Sequence, residues 1–184
     1  MTAFSYERRV EFCETDSAGI AHFSSLAIYM EQAEHALFRS IGLSVFPQRS
    51  PSHVSSHLLQ GTGPSQPSSG IKDLGNPLDH VAASSDVKDG IANLLDVTWP
   101  RVHISVDFLG PARFEEVLRI DVVVARLGES SVTFEHVIHG PNHPVARGTS
   151  TSVCCRIDRD NSHGLIKQSI PQRIRDKLTA FLRS

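Results

Sequence analysis

The chain has 184 residues, 40% of them hydrophobic, and a formal net charge of −2 at neutral pH. A chain of this length is enough for a single domain, which buries about two thirds of the surface that its unfolded form exposes. The balance of charges, with no run of Lys or Arg, argues against nucleic acid or an anionic membrane as a partner.

The first residues, Met1–Arg9, lack the apolar core of a signal peptide, and no later apolar run is long enough to cross a bilayer. We therefore expect a cytoplasmic protein that does not enter a membrane. The adjacent pair Cys154 and Cys155 would point to opposite faces of a strand. Together with Cys13 they favour free buried thiols over a disulfide framework or a thiolate metal site.

The first predicted element is a strand over Phe4–Cys13, in which apolar and polar residues alternate. Arg8 is the one residue that does not fit its apolar face. A long helix follows over Leu26–Ile41, where apolar residues recur at helical spacing. Its end is predicted at Gly42, and its start is capped by one of two neighbouring serines, Ser24 or Ser25.

The region from Ser44 to Gly90 has a different composition, because 20 of its 47 residues are Ser, Gly or Pro. Such a segment buries too little apolar surface to offset the conformational entropy lost on ordering. We expect an insert at about 44–90 that is partly disordered and lies outside the core. A short helix is predicted in its tail, through Asp86–Leu95.

From Trp99 onward the apolar residues recur with the period of a strand, and Gly-containing turns separate the runs at spacings typical of antiparallel hairpins. A helix after Pro171 closes the chain. These elements make an α+β domain. The predicted strands lie at Val102–Phe108, Val117–Leu127, Val132–Ile138 and Val145–Ile157.

An acidic turn, Glu14–Asp16, lies where the first strand meets the long helix, and the segment Asp16–Phe23 has the form Asp-x-x-Gly-Ile followed by an apolar link. This segment closely resembles the hotdog-fold acyl-CoA thioesterases of the 4-hydroxybenzoyl-CoA thioesterase type. Phe108–Leu118 also resembles that family's strand, Pro-Ala-Arg turn and return strand. The resemblance covers most of the chain outside the insert.

The resemblance implies one hotdog domain over residues 1–184, a curved antiparallel sheet wrapped around a long central helix. It implies hydrolysis of an acyl-CoA to a carboxylic acid and CoA, without a cofactor. It also implies a homodimer or homotetramer with its sites at the subunit boundary. Whether the acyl group is aryl, short or long, and whether its carrier is CoA or acyl carrier protein, stays open.

Asp16 by itself could simply cap a turn or the helix start. The resemblance implies that it is the catalytic carboxylate, which attacks the thioester carbonyl as nucleophile or activates a water as general base. The developing oxyanion needs donors, and the amides near Phe23 and Ser24 lie at the positive end of the predicted helix. In the resembled enzymes the amide at the position of Phe23 has this role.

Three further residues are candidates for contact with the substrate. Gly19 would allow a tight approach between Asp16 and the helix, although an ordinary turn glycine would look the same. His22 lies one residue before the place where some members of the resembled family carry a functional histidine. Glu31 matches an acidic position that contacts the acyl group in the hydroxybenzoyl enzyme, and a solvated helix carboxylate is an equal alternative.

Other chemistries find little support in the sequence. One predicted hairpin carries three histidines, His136, His139 and His143. Their spacing fits no standard zinc pattern, and a solvated loop explains them better. No Gly-x-Ser-x-Gly, Walker or dinucleotide-binding motif occurs. The alternatives that remain are a non-catalytic acyl-binding hotdog domain and a hotdog dehydratase or hydratase.

Overall fold

The computed structural model describes residues 3–45, 97–157 and 164–183. The predicted insert lies outside the described residues from position 46 on, as does the short helix predicted at Asp86–Leu95. Among the described residues, no helix is long and apolar enough to cross a membrane.

The described elements follow the predicted order of a strand, a long helix, a series of strands and a terminal helix. The helices are α1 (Phe23–Ser40) and α2 (Gln172–Thr179), and a 3₁₀ turn spans Phe12–Glu14. The strands are β1 (Phe4–Arg9), β2 (Val97–Thr98), β3 (Arg101–Phe108), β4 (Val117–Leu127), β5 (Ser131–His139), β6 (Pro144–Val153), β7 (Cys155–Ile157) and β8 (Leu165–Lys167).

In the described part of the chain, five strands form an antiparallel sheet in the order β1-β4-β5-β6-β3. Strands β2, β7 and β8 form a smaller sheet. The α1 helix packs against one face of the large sheet. Both surfaces contribute fully buried side chains to the core, chiefly Tyr29, Met30, Ala33, Leu37, Leu118, Ile120, Val122, Phe134 and Ile138.

Two predicted strands are shorter in the structure than in the sequence pattern. The first ends at Arg9, because the Val10 amide donates to the Glu116 carbonyl, the Glu115 amide donates to the Val10 carbonyl, and the chain then turns at Phe12–Glu14. The alternation continues to Cys13 in the sequence, but Phe12 is 76% exposed. The last strand divides at Cys154, whose amide donates to Ser130 in a neighbouring turn.

All three cysteines are free thiols. Cys154 and Cys155 are buried as predicted, and burial raises the pKa of Cys154 to about 11. Cys13 is exposed, so the prediction of a buried thiol is wrong there. The cause is the 3₁₀ turn, which replaces the last part of the predicted strand.

The carboxyl end of α1 follows the prediction and its amino end does not. Gly42 has φ of +68°, and the amide of Leu43 donates to the carbonyl of Phe38 at 2.8 Å, as in a Schellman motif. The helix begins at Phe23, with His22 at the N-cap position and no side-chain cap, so neither Ser24 nor Ser25 has the predicted role.

Gly148 of β6 sets how closely α1 approaches the sheet. A Cβ atom there would lie 2.6 Å from Met30 Cε and 2.7 Å from the carbonyl oxygen of Ser105. The methionine end can move, but the carbonyl belongs to the paired strand β3 and cannot move without disturbing the sheet.

We expect Gly148→Ala to lower the free energy of unfolding by about 1–3 kcal/mol, because overpacking forces side chains and backbone to shift. Urea unfolding followed by circular dichroism measures this. Arg147→Ala, at the exposed neighbouring position, is the control and should change stability little. Equal stability of the two variants would contradict the close approach.

Candidate active site

A tight turn places Asp16 between the 3₁₀ turn and α1. The Asp16 amide donates to the Ile20 carbonyl at 2.9 Å, and the Gly19 amide donates to the Asp16 carbonyl at 3.0 Å. Gly19 has φ of +69°, while a Cβ atom there would meet nothing within 4 Å. The glycine is therefore favoured by backbone conformation and not by lack of space.

The carboxylate of Asp16 is exposed and is oriented by its own turn. Its Oδ1 atom accepts hydrogen bonds from the amides of Ala18, at 2.8 Å, and Ile20, at 3.2 Å. Two donors on one oxygen restrict the rotation of the side chain. They leave the other oxygen, Oδ2, for an incoming group.

The Asp16 turn contacts the second stretch that resembles the family, Phe108–Leu118. The Ala21 amide donates to the Ala112 carbonyl at 2.7 Å, and the Phe114 amide donates to the Gly19 carbonyl at 3.0 Å. The two stretches, about a hundred residues apart in the sequence, thus meet through main-chain hydrogen bonds.

The start of α1 follows directly after the Asp16 turn. The His22 amide donates to the Glu14 carbonyl at 2.8 Å, which holds the helix start beside the turn. Phe23 and Ser24 are the first two residues of the helix, so their amides have no carbonyl one turn earlier to bond. Their N–H groups lie at the positive end of the helix dipole.

His22 and Phe23 form a surface pair at this helix start. Their ring centroids are 4.4 Å apart, and His22 Nδ1 lies 2.8 Å from Ser24 Oγ. Phe23 is 65% exposed. The described residues include no direct contact between His22 and Asp16, so the imidazole belongs to the same surface without bonding the carboxylate.

Glu31 is placed apart from the Asp16 turn. It lies eight residues beyond Phe23, which is roughly 12 Å of helix rise. Its Oε1 atom is 3.9 Å from His35 Nε2 and 4.0 Å from Arg101 Nη2, and its side chain is about half exposed. The structure therefore brings Gly19, His22, Phe23 and Asp16 together, and it brings Glu31 to the start of β3.

Sequence reasoning missed the partly buried ion pair beneath the turn. Arg8 of β1 pairs with Glu14, and its guanidinium carbon lies 5.1 Å from the centre of the Tyr29 ring. Glu14 Oε2 also accepts hydrogen bonds from the Tyr29 hydroxyl, at 2.7 Å, and from the Glu11 amide, at 2.9 Å. The signal in the sequence was Arg8 itself, a cation on an apolar strand face.

The electrostatics of this group, which we call the Glu14 cluster (Arg8, Glu14, Tyr29), favour the charged carboxylate. Burial alone would raise the pKa of Glu14, but hydrogen bonds from Glu11 and Tyr29 and the charge of Arg8 outweigh burial and lower it. Burial, followed by the hydrogen bond to Glu14, raises the pKa of Tyr29.

A second buried polar group ties α1 to β3, β5 and β6. Glu34 is 2% exposed and accepts hydrogen bonds from Arg101, at 2.6 Å, and Ser150, at 2.5 Å. His136 Nε2 lies 3.1 Å from Glu34 Oε1, without the alignment of a hydrogen bond. His136 is 1% exposed, so the expectation that it lies in a solvated loop is wrong, because its strand position faces α1.

In the described ranges, no three His, Cys, Asp or Glu side chains are grouped so that they could hold a metal ion. The chemistry that these residues can supply is that of a carboxylate, backbone amides and a helix dipole.

Comparison with known proteins finds similar chains. A model of the thioesterase superfamily matches residues 80–146. No curated protein matches the chain. Among solved structures, a 1,4-dihydroxy-2-naphthoyl-CoA thioesterase from Synechocystis is similar, with a TM-score of 0.63 and 18% identity over 97% of this chain and 96% of the other.

Two further structures show the same likeness. A putative thioesterase from Prochlorococcus marinus has a TM-score of 0.63 and 19% identity, over 97% of this chain and 95% of the other. A gentisyl-coenzyme A thioesterase has a TM-score of 0.60 and 18% identity, over 95% of this chain and 98% of the other. These likenesses confirm the α+β hotdog fold.

The family match confirms the predicted resemblance to the thioesterase superfamily and the predicted class of enzyme, a thioester hydrolase. The matched segment covers β3, β4 and β5 and begins well beyond Asp16. The role of the Asp16 turn is therefore argued from its geometry.

The Glu14 cluster predicts a pH-dependent contribution to stability. Because the pKa of Glu14 is lower in the folded protein than in the unfolded chain, its contribution is present above the unfolded pKa and is lost as pH falls through the folded pKa. We expect Glu14→Gln to lower the free energy of unfolding at neutral pH by about 1.5–3 kcal/mol, the scale of a hydrogen bond to a charged group.

Urea unfolding at neutral pH and at several acidic pH values tests this. The difference between wild type and Glu14→Gln should shrink as the pH falls. Glu7→Gln removes an exposed carboxylate from the β1 position next to Arg8 and is the control. A constant difference at all pH values would show that Glu14 acts by shape and not by charge.

Proposed function

We propose that the chain hydrolyses an acyl-CoA thioester and that Asp16 is the catalytic carboxylate. The observation that carries this proposal is the Asp16 turn, where a carboxylate held at Oδ1 by two amides stands exposed beside the start of α1. A carboxylate with one oxygen oriented and the other open suits attack on a carbonyl or on a water.

Two routes use the same groups. In the first, Asp16 Oδ2 attacks the thioester carbonyl carbon, the C–S bond breaks, the thiolate leaves, and water then cleaves the mixed anhydride to the acid. In the second, Asp16 takes a proton from a water whose oxygen attacks the same carbon directly. In both routes the carbonyl oxygen gathers negative charge.

The amides of Phe23 and Ser24 are the proposed donors to that oxygen. They follow the Asp16 turn directly, lack partners one turn earlier, and add the positive end of the α1 dipole. Such preorganised donors stabilise the transition state more than the ground state, in which the carbonyl carries less charge.

Gly19, His22 and Glu31 are the proposed substrate contacts. Gly19 has no side chain that would project beside Asp16. The His22–Phe23 ring pair offers an apolar wall next to it. Glu31 lies farther along α1, so its proposed role is contact with the distal part of the acyl group. Because two structurally similar proteins are described as thioesterases of aryl acyl-CoA compounds, aryl thioesters belong first in any substrate panel.

The assembly proposed with this function is a homodimer or homotetramer that forms along β3. This strand is one of the two edges of the five-stranded sheet, with β1 at the other, and a bare edge invites pairing with another chain. Ile104 and Phe108 pair with the buried Ser150 and Ala146, so they share the face that packs on α1. They are nevertheless 41% and 55% exposed, and Ile28 of the helix is exposed as well. Location in the cytoplasm is part of the same proposal.

Asp16→Asn tests the catalytic assignment. We expect the rate of thiol release from acyl-CoA to fall by roughly 10²–10⁴-fold, because the amide cannot attack the carbonyl or take a proton. Ser17→Ala, at the exposed neighbouring position, should keep its activity. Hydrolysis by folded Asp16→Asn at nearly the wild-type rate would overturn the assignment. A wild type that binds acyl-CoA without releasing thiol would favour the non-catalytic alternative.

Ile104→Arg tests the assembly. A charge on the inner face of the edge strand should shift the mass measured by light scattering toward one subunit and reduce activity at low protein concentration. Leu165→Arg introduces the same charge at an exposed apolar position on β8 and should do neither. A wild-type monomer that stays fully active on dilution would contradict a shared site.

A further inference from the structure

We propose that a cavity beside the β5–β6 hairpin binds a phosphate group on the carrier arm of the thioester substrate. The cavity, here called the hairpin cavity, has a volume of about 490 Å³ and is lined by Val117, Arg119, His139, His143 and the hairpin turn between the histidines. This inference rests on the proposed function, because the phosphate belongs to the molecule that Asp16 would cleave.

The cavity contains three basic side chains that lie apart in the sequence. One carboxylate, that of Asp121, orients two of them. Its Oδ2 atom lies 3.2 Å from Arg119 Nη2 and 3.3 Å from His139 Nε2. Asp121 is itself held by Ser5, whose hydroxyl donates to Oδ1 at 2.6 Å.

The charges in the hairpin cavity suit an anion. Asp121 is not among the residues that line the cavity, and its single contact with the Arg119 guanidinium leaves most of the five guanidinium donors open. The Arg119 side chain is 56% exposed, so these donors face the cavity and solvent. A planar guanidinium fork matches phosphate oxygens. An imidazole whose Nε2 already has a partner adds a further N–H donor, through Nδ1, in its protonated form.

His143 is fixed in place and is not a freely rotating loop residue. Its Nε2 atom donates to the Pro111 carbonyl at 2.7 Å. A Cβ atom at Gly140 would lie 2.8 Å from its ring, and one at Gly110 would lie 3.1 Å from it. Two glycines thus make room for this ring. A histidine in a solvated turn would not need such closely fitted surroundings.

The hairpin cavity and the Asp16 turn rest on the same short segment. Pro111 holds His143, Ala112 accepts from Ala21, and Phe114 donates to Gly19. Pro111 and Phe114 are three residues apart, which is at most roughly 11 Å along the chain. The extended pantetheine arm of CoA is longer than the Pro111–Phe114 segment that connects the two places, so this arrangement is compatible with a thioester at the Asp16 turn and a phosphate group at the hairpin.

The phosphate could come from CoA, through its diphosphate or its 3′-phosphate, or from the single phosphodiester of an acyl carrier protein. All present the same tetrahedral anion. Thioesters of one acyl group on CoA, on 4′-phosphopantetheine and on pantetheine separate these sources, because the third carrier has no phosphate.

The test compares Arg119→Gln with Arg126→Gln, an exposed arginine farther along β4 that does not line the cavity. We expect Arg119→Gln to raise KM for the CoA thioester about 10-fold with little change in kcat, and to leave the pantetheine thioester unaffected. His139→Gln, measured in parallel, should act in the same direction. Arg126→Gln should match wild type on all three substrates.

Each outcome of this comparison supports or overturns the proposal. A raised KM with both CoA and phosphopantetheine assigns the cavity to the 4′-phosphate, and a raised KM with CoA alone assigns it to the nucleotide phosphates. An equal loss with the pantetheine thioester, or no loss with CoA, overturns the proposal while hydrolysis stands. If wild type hydrolyses none of the substrates, the proposed function fails. Calorimetric binding of CoA, weakened in Arg119→Gln or not, then decides on the cavity separately.

Discussion

The structure around Asp16 depends on the partly buried carboxylate of Glu14. This side chain joins Arg8 of β1, Tyr29 of α1 and the Glu11 amide, while the Glu14 carbonyl accepts from His22 and from the Ser25 hydroxyl. Strand, turn and helix are thereby fixed to one residue, two positions before Asp16. Removing Glu14 would leave Arg8 and the Tyr29 hydroxyl partly buried without their partner, which costs more than the pair itself contributes.

Local patterns predicted much of this region, and long-range contacts decided the rest. Gly42 and the apolar spacing of α1 are local signals, and the structure agrees with both. The early end of β1 was not predictable in this way, because it follows from pairing with residues near Glu115. Arg8 shows the same limit. Its partner Glu14, which explains a cation on an apolar strand face, comes close to it only in the folded turn.

The histidines near the hairpin show how one residue's position in a strand changes its environment. Successive residues of a strand face opposite sides, so His136 enters the core beside Glu34 while His139 stays at the surface beside Asp121. His143 reaches Pro111 only because the β5–β6 hairpin folds back toward the end of β3. Sequence spacing placed these three residues in one group, whereas the sheet assigns them to different surroundings.

Main-chain hydrogen bonds join the two segments of the candidate site. The contacts from Ala21 to Ala112 and from Phe114 to Gly19 use only amides and carbonyls, so they require a backbone path and not particular side chains. Glycine is favoured where that path needs positive φ, as at Gly19. A site built in this way can keep its geometry while most side chains change, which agrees with a shared fold at 18% identity. Under the proposed function, the side chains that must stay are those that act, Asp16 above all, and those that hold its turn in place.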